Sequence, residues 1–192
     1  FDRQKNSFKT YKHSASDPNS LSNDVIVDLR IDHAGGLWIG TYMGGLNYFD
    51  GKRFVRYLND PKDINSIASN QIWSIFEDSN HQLWIGTLGS GLDVFDRSQN
   101  RFIHHQVGSS GNTISSDYIM SISENKDKNI WLATIYGADV FDKASGRFIH
   151  FMDNPETNSL SNNSTLDVFC DSRGWVWIAT RDGLNMYDPK LQ

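Results

Sequence analysis

The sequence predicts an all-β fold: a β-propeller whose four repeats, of about 46 residues each, form four-stranded antiparallel blades. Three observations predict it. Four stretches are versions of one phrase: Asp32-His-Ala-Gly-Gly-Leu-Trp38-Ile-Gly-Thr41, Asp78-Ser-Asn-His-Gln-Leu-Trp84-Ile-Gly-Thr87, Asn125-Lys-Asp-Lys-Asn-Ile-Trp131-Leu-Ala-Thr134 and Asp171-Ser-Arg-Gly-Trp-Val-Trp177-Ile-Ala-Thr180. Their tryptophans stand 46, 47 and 46 residues apart, inside the roughly 40–50-residue period of propeller blades. The flanking segments are short, rich in aromatic and β-branched residues, and separated by polar or glycine-bearing turns.

Each repeat opens on a polar turn: Asn19-Ser-Leu-Ser22, Asn65-Ser-Ile-Ala68, Asn112-Thr-Ile-Ser115 and Asn158-Ser-Leu-Ser161. Asn and Ser side chains bond nearby backbone amides, which suits a turn that launches a strand. The apolar residue of each turn (Leu21, Ile67, Ile114, Leu160) is expected beneath it. In the first strand, Val27, Trp73, Met120 and Leu166 form one column and Leu29, Ile75, Ile122 and Val168 another, two residues on. That spacing predicts one packed face, with Asp28, Ser74, Ser121 and Asp167 turned toward the axis.

A hairpin turn led by Asp32, Asp78, Asn125 or Asp171 follows, its side chain placed to accept backbone N–H bonds. The second strand carries the tryptophan. Its small residue (Gly40, Gly86, Ala133, Ala179) predicts close approach by a neighbouring blade. The loop to the third strand always ends in glycine, as a positive φ requires. Third strands end in Asp50, Asp96, Asp142 and Asp188; fourth strands begin at Arg53, Arg101 and Arg147.

The repeats run over approximately 13–57, 58–105, 106–151 and 152–188, the last joined by 1–12, within one propeller domain or propeller fragment, 1–192. Phe1-Asp2 matches Phe49-Asp50, and Ser7-Phe-Lys-Thr-Tyr11 matches Arg53-Phe-Val-Arg-Tyr57. The N-terminal strand is therefore expected to complete the last blade, pairing residues 7–11 with 184–188 in the same or a partner chain and so removing a sheet edge. Four blades closing alone and two chains forming an eight-bladed ring both agree with the pattern.

Bulk properties narrow the function. The net charge is −5 and no Lys/Arg run exists, which argues against a nucleic-acid partner. One cysteine, Cys170, allows no internal disulfide and leaves the compartment open. It falls in a first strand and reads as a structural thiol. No stretch reaches the roughly 18–20 apolar residues of a membrane span, and no direct membrane contact is expected. The chain opens within a repeat and reads as a piece of something longer.

The unit Asn-Ser-Leu-Ser, Asp-x-x-Gly-x-Leu-Trp-Ile-Gly-Thr, Gly-Gly-Leu-Asn-x-Phe-Asp resembles the two-component regulator propeller repeat over nearly the whole chain. The resemblance implies a fragment of the periplasmic sensor region of a hybrid two-component system, of the kind by which Bacteroides-type bacteria sense oligosaccharides and control glycan-utilisation genes. It also implies further propeller repeats as partners, a kinase elsewhere in the full-length protein, and an oligosaccharide ligand. A homodimer is a further expectation.

No catalytic constellation, metal set or cofactor motif stands out. His104 and His150 share an outer-strand column and, with His105, read as solvated. Asp28 and Asp167 are the one acid pair to weigh, since a retaining glycosidase needs carboxyls about 5–5.5 Å apart. The readings are a non-catalytic sensor, or alternatively a propeller hydrolase or lyase acting on glycans, or a protein-binding scaffold. Ligand contacts are expected where the repeats vary upon a constant frame: the loops before the third strands, with Tyr42, Met43, Leu88, Ser90, Tyr136, Arg181 and Asp182.

Overall fold

The computed structural model describes residue 3 and residues 6–190. The described residues form fifteen strands: β1 (Ile26–Ile31), β2 (Leu37–Thr41), β3 (Leu46–Phe49), β4 (Phe54–Tyr57), β5 (Ile72–Glu77), β6 (Leu83–Thr87), β7 (Leu92–Asp96), β8 (Arg101–His105), β9 (Ile119–Glu124), β10 (Ile130–Thr134), β11 (Gly137–Asp142), β12 (Arg147–Phe151), β13 (Thr165–Cys170), β14 (Val176–Thr180) and β15 (Gly183–Tyr187). They make antiparallel sheets in the orders β1-β2-β3-β4, β5-β6-β7-β8, β9-β10-β11-β12 and β13-β14-β15. These are the predicted blades, and the first three are complete.

The core lies between blades. Trp38 and Leu46 of blade 1 pack with Ile67, Ile72, Ile75, Leu83 and Ile85 of blade 2. Trp84, Leu92 and Val94 meet Ile114, Ile119, Ile122 and Leu132 of blade 3. Trp131, Ala133 and Val140 meet Leu160, Val168, Val176 and Ile178 of blade 4. Trp177, which no further blade covers among the described residues, is only half-buried. Replacing a buried Trp by Ala typically costs about 3–5 kcal/mol, so each seam rests heavily on its tryptophan.

The small residues of the second strands do let neighbours approach. A Cβ on Gly40 would lie 2.8 Å from Ile72 Cγ2, and one on Gly86 would lie 2.8 Å from Ile119 Cγ2. Where Ala133 replaces glycine, the facing position holds Thr165, whose hydroxyl accepts from Thr134 N at 2.7 Å.

Two expectations need correction. The first strands do not alternate simply. A bulge falls between Ile26 and Asp28, between Ile72 and Ser74, and between Thr165 and Asp167. The extra residue moves Trp73 and Leu166 off the packed face. The buried pairs are Ile72 with Ile75, Ile119 with Ile122, and Thr165 with Val168. Blade 1 shows the consequence of a free outer face: Leu29 is 57% exposed, against 4% for its counterpart Ile75.

The second correction concerns closure within one chain. Among the described residues β15 pairs with β14 alone, so the last sheet has three described strands. Residues 7–11 are exposed, and among the described residues they pair with no strand of that sheet. Tyr11 instead packs on Phe49 and Phe54 of blade 1, at ring-centroid distances of 5.2 and 5.3 Å. His13 N, two residues on, donates to Asp24 Oδ1 at 2.6 Å. Tyr11 and His13 are thus held at blade 1, not blade 4. Phe1 and Asp2, read as the end of a third strand, lie outside the described residues. A groove of about 710 Å³, lined by His150, Met152, Leu160, Ile178, Met186 and Tyr187 among others, flanks β15 where a fourth strand would sit.

Candidate functional site

The loops between second and third strands are tied by backbone bonds, on both sides in blades 1 and 2 and on one side in blades 3 and 4. Within a blade, Tyr42 N donates to Val25 O (3.1 Å), Leu88 N to Gln71 O (3.1 Å) and Arg181 N to Ser164 O (3.0 Å). Between blades, Gly45 N donates to Asn70 O (2.9 Å), Gly91 N to Asp117 O (2.9 Å) and Gly137 N to Asn163 O. The threonine before each loop caps it: Thr41 Oγ1 donates to Gly45 O and accepts from Gly44 N, and Thr87 repeats this with Gly91 O and Ser90 N. The terminal glycines carry φ values of 69°, 79°, 99° and 103° (Gly45, Gly91, Gly137, Gly183). A Cβ at Gly45 or Gly91 would also strike a backbone carbonyl of the fourth strand.

Upon this frame Tyr42, Met43, Tyr136, Arg181 and Asp182 are exposed, whereas Leu88 and Ser90 are half-buried. Leu88 bridges to Tyr118, whose exposed ring stands 3.4 Å from where a Cβ on Gly89 would lie. Tyr118 was not among the predicted residues. Its position just before a strand, in the column of Val25, Gln71 and Ser164, was the available signal. The groove beside β15, and a smaller cavity of about 180 Å³ lined by Asn59, Asp60, Ile64 and His104 among others, are not lined by the predicted loop residues.

The opposite end is a ladder of charges. The turn carboxylate accepts two kinds of bond. Asp32 Oδ1 takes Ala34 N and Gly36 N, while Oδ2 takes Trp38 Nε1 at 3.1 Å. Asp78 with Trp84, and Asp171 with Trp177, repeat it. In blade 3 the leader is Asn125, and among the described residues Trp131 Nε1 is buried without a partner.

Each of the first two seams adds a strap. Glu77, the last residue of β5, accepts from His33 N (2.8 Å), and Arg97 bridges Glu77 Oε1 (2.9 Å) to Asp32 Oδ2 (3.4 Å). One blade on, Glu124 accepts from Ser79 N (2.9 Å), and Lys143 Nζ bridges Glu124 Oε1 (3.0 Å) to Asp78 Oδ2 (2.6 Å). Burial works to raise the Asp78 pKa, but the bonds from Lys143 and Trp84 outweigh it and hold the carboxyl below its ordinary range.

Other predicted residues fall elsewhere. His104 is half-buried and His150 exposed, as read, but neither is merely solvated: each offers Nδ1 to a fully buried acid, Asp93 (2.6 Å) or Asp139 (2.7 Å). His105 packs on Phe141 and Phe148. Cys170 is pushed up to about 11 by burial, so its thiol stays protonated at neutral pH. Asp28 and Asp167 do not form a mutual pair. Asp28 Oδ2 accepts from Ile75 N of blade 2 (2.6 Å), and Asp167 Oδ1 accepts from Ser121 Oγ of blade 3 (2.5 Å).

Sheets packed face to face in sequence order, with one apolar seam per step, define a β-propeller blade array. The two-component regulator propeller family model matches residues 20–43, 66–89 and 159–182, the opening turn and first hairpin of blades 1, 2 and 4. Those stretches of blades 1, 2 and 4 match the two-component regulator propeller repeat.

Among solved structures, the chain is similar to the extracellular domains of two Bacteroides thetaiotaomicron proteins described as hybrid two-component systems. One is 22% identical with a TM-score of 0.71, over 91% of this chain and 23% of that one. The other is 24% identical with a TM-score of 0.52, over 95% and 29%. The chain thus spans less than a third of either. Virginiamycin B lyase from Staphylococcus aureus, 12% identical over 90% of this chain and 59% of its own, has a TM-score of 0.62. At these identities the likeness concerns the fold. No curated protein matches the chain.

Proposed function

We propose that the chain is a non-catalytic segment of the extracytoplasmic, periplasmic sensor region of a hybrid two-component signalling protein, and that its loop face contacts oligosaccharide. Its repeat family supports the sensor reading, as does its likeness to domains described as extracellular parts of such systems. The observation that carries the binding reading is the backbone-tied loop frame on which Tyr42, Tyr118, Tyr136, Arg181 and Asp182 are all exposed. Rigid placement lowers the ordering cost of binding. Tyrosine rings stack on sugar faces, and Arg and Asp bond hydroxyls.

The partners in this reading are the oligosaccharide and further propeller repeats. A second copy supplying residues 7–11 to the open edge of β15 would give a homodimer, which size-exclusion chromatography with light scattering reads directly. For the ligand, a glycan array selects a binder and calorimetry measures it. Tyr42→Ala and Arg181→Ala are each expected to weaken binding at least tenfold without changing the melting temperature. Unchanged affinity in both variants would overturn the loop-face reading.

A further inference from the structure

The strap at the first seam contains something the second lacks. At the second, the turn residue is Ser79, whose hydroxyl donates to Glu124 Oε1 at 3.0 Å. At the first it is His33, whose Nδ1 lies 2.7 Å from Glu77 Oε1. A second imidazole, His81, arrives from the hairpin turn of blade 2 and stacks on the His33 ring with centroids 4.0 Å apart and planes at 22°. His33, Glu77 and His81 each offer a ligand atom, and the three atoms lie within 4.8 Å of one another.

The sister turns do without either imidazole. The second strap holds with a serine in place of His33. The position of His81 is taken by Gly35, Lys128 and Gly174 in the other turns, all with positive φ like His81 itself (64°). A positive φ is uncommon for a side-chain-bearing residue, although His is among those that tolerate it better. The turn therefore holds a residue it disfavours, and that residue brings a second ring nitrogen to a carboxylate.

From this convergence we propose that His33, Glu77 and His81 bind a divalent transition-metal ion of the zinc type across the seam between blades 1 and 2. Two imidazoles and a carboxylate are a borderline donor set that suits Zn(II), Cu(II) or Ni(II) over Mg(II) or Ca(II). Three protein ligands leave a fourth tetrahedral position for water or an outside ligand. The ion takes the place of the proton between His33 Nδ1 and Glu77 Oε1. At metal–ligand bonds of about 2.0–2.1 Å those atoms separate to ~3.3 Å. His81 is exposed on its turn, so its ring can swing out of the stack to complete the set. Arg97, displaced from Glu77, keeps Asp32 and the face of Trp38, 5.4 Å from its guanidinium carbon. The ion would take over the bridging of the two blades.

The sister repeats supply the test. His33→Ser copies Ser79 and keeps the strap; His81→Gly copies Gly35 and Gly174 and relieves the turn. Zn(II) titrated into the metal-free chain, followed by calorimetry, is expected to bind one equivalent. Each substitution is expected to weaken that binding at least tenfold while the metal-free melting temperature holds or rises. Cu(II) in place of Zn(II) should give an electron-paramagnetic-resonance spectrum of two coordinated nitrogens in the parent chain and fewer in either variant. No stoichiometric Zn(II) binding by the parent chain would overturn the proposal, as would parental affinity in either variant.

Discussion

The seams between blades 1 and 2 and between blades 2 and 3 are built alike; the seam between blades 3 and 4 is not. The first two have a buried turn aspartate, a glutamate on the next inner strand and a cation bridging them (Asp32, Glu77, Arg97; Asp78, Glu124, Lys143). At the third these positions read Asn125, Cys170 and Pro189. Small hydroxyl bonds replace the ions: Thr134 N to Thr165 Oγ1 (2.7 Å), Ser121 Oγ to Asp167 (2.5 Å) and Cys170 N to Ser123 Oγ (3.1 Å). The close approach changes with them, from glycine facing isoleucine to Ala133 and Thr165. The difference teaches that a seam is a unit. A buried carboxylate, its cation and the facing side chain are present together or absent together, because a buried charge left unpaired is strongly destabilising.

Removing one member of a charged seam should show this most strongly. Lys143→Met leaves Asp78 and Glu124 without their cation, and urea unfolding should report a loss of about 3–5 kcal/mol. Pro189→Met, at the matching place in the neutral seam, should change little. Next comes the close approach. Gly86→Ala puts a Cβ against Ile119 and Ser74, at an expected cost of about 1–3 kcal/mol in thermal or urea unfolding. Adding Ile119→Thr, which copies the third seam, should recover part of it.

A smaller effect runs in the opposite direction. Asn125→Asp gives the unpartnered Trp131 indole an acceptor, and Pro189→Lys supplies the missing cation. The double variant should gain about 1 kcal/mol by urea unfolding, and a loss would break the comparison.

The smallest effect is a pH dependence inside blade 2. The bond to Asp93 raises the His104 pKa above its ordinary 6.5. A raised folded value means that its contribution is fully present below pH 6.5 and is lost as pH climbs through the raised value. Blade 1 has Asn47 and Arg56 at these positions. Asp93→Asn with His104→Arg should therefore flatten that limb of the stability–pH curve, as followed by melting temperature.

Much of this was legible in the sequence. The tryptophan period, the turn aspartates, the small residues at close approach and the loop-ending glycines all act through local geometry, which the chain states locally. What was not legible depended on three-dimensional partners. The bulge at Trp73 breaks the alternation that placed it on the packed face. His104 and His150 look like surface histidines until Asp93 and Asp139 are seen beneath them. His33 and His81 lie 48 residues apart in different repeats, and only the packing of blade on blade stacks them. Of the loop residues, Tyr42, Met43, Tyr136, Arg181 and Asp182 are exposed and Leu88 and Ser90 half-buried; Tyr118 joins them through its bridge to Leu88.

Amide hydrogen exchange by mass spectrometry on this chain tests the comparison most directly, because blades 1 and 4 both end the array and differ in the seam that holds them. The ion-strapped account predicts that β13–β15 exchange as a separate unit, well before β1–β4 and before the shared block of blades 2 and 3. Equal protection of blades 1 and 4, or earlier exchange of blade 1, would contradict it.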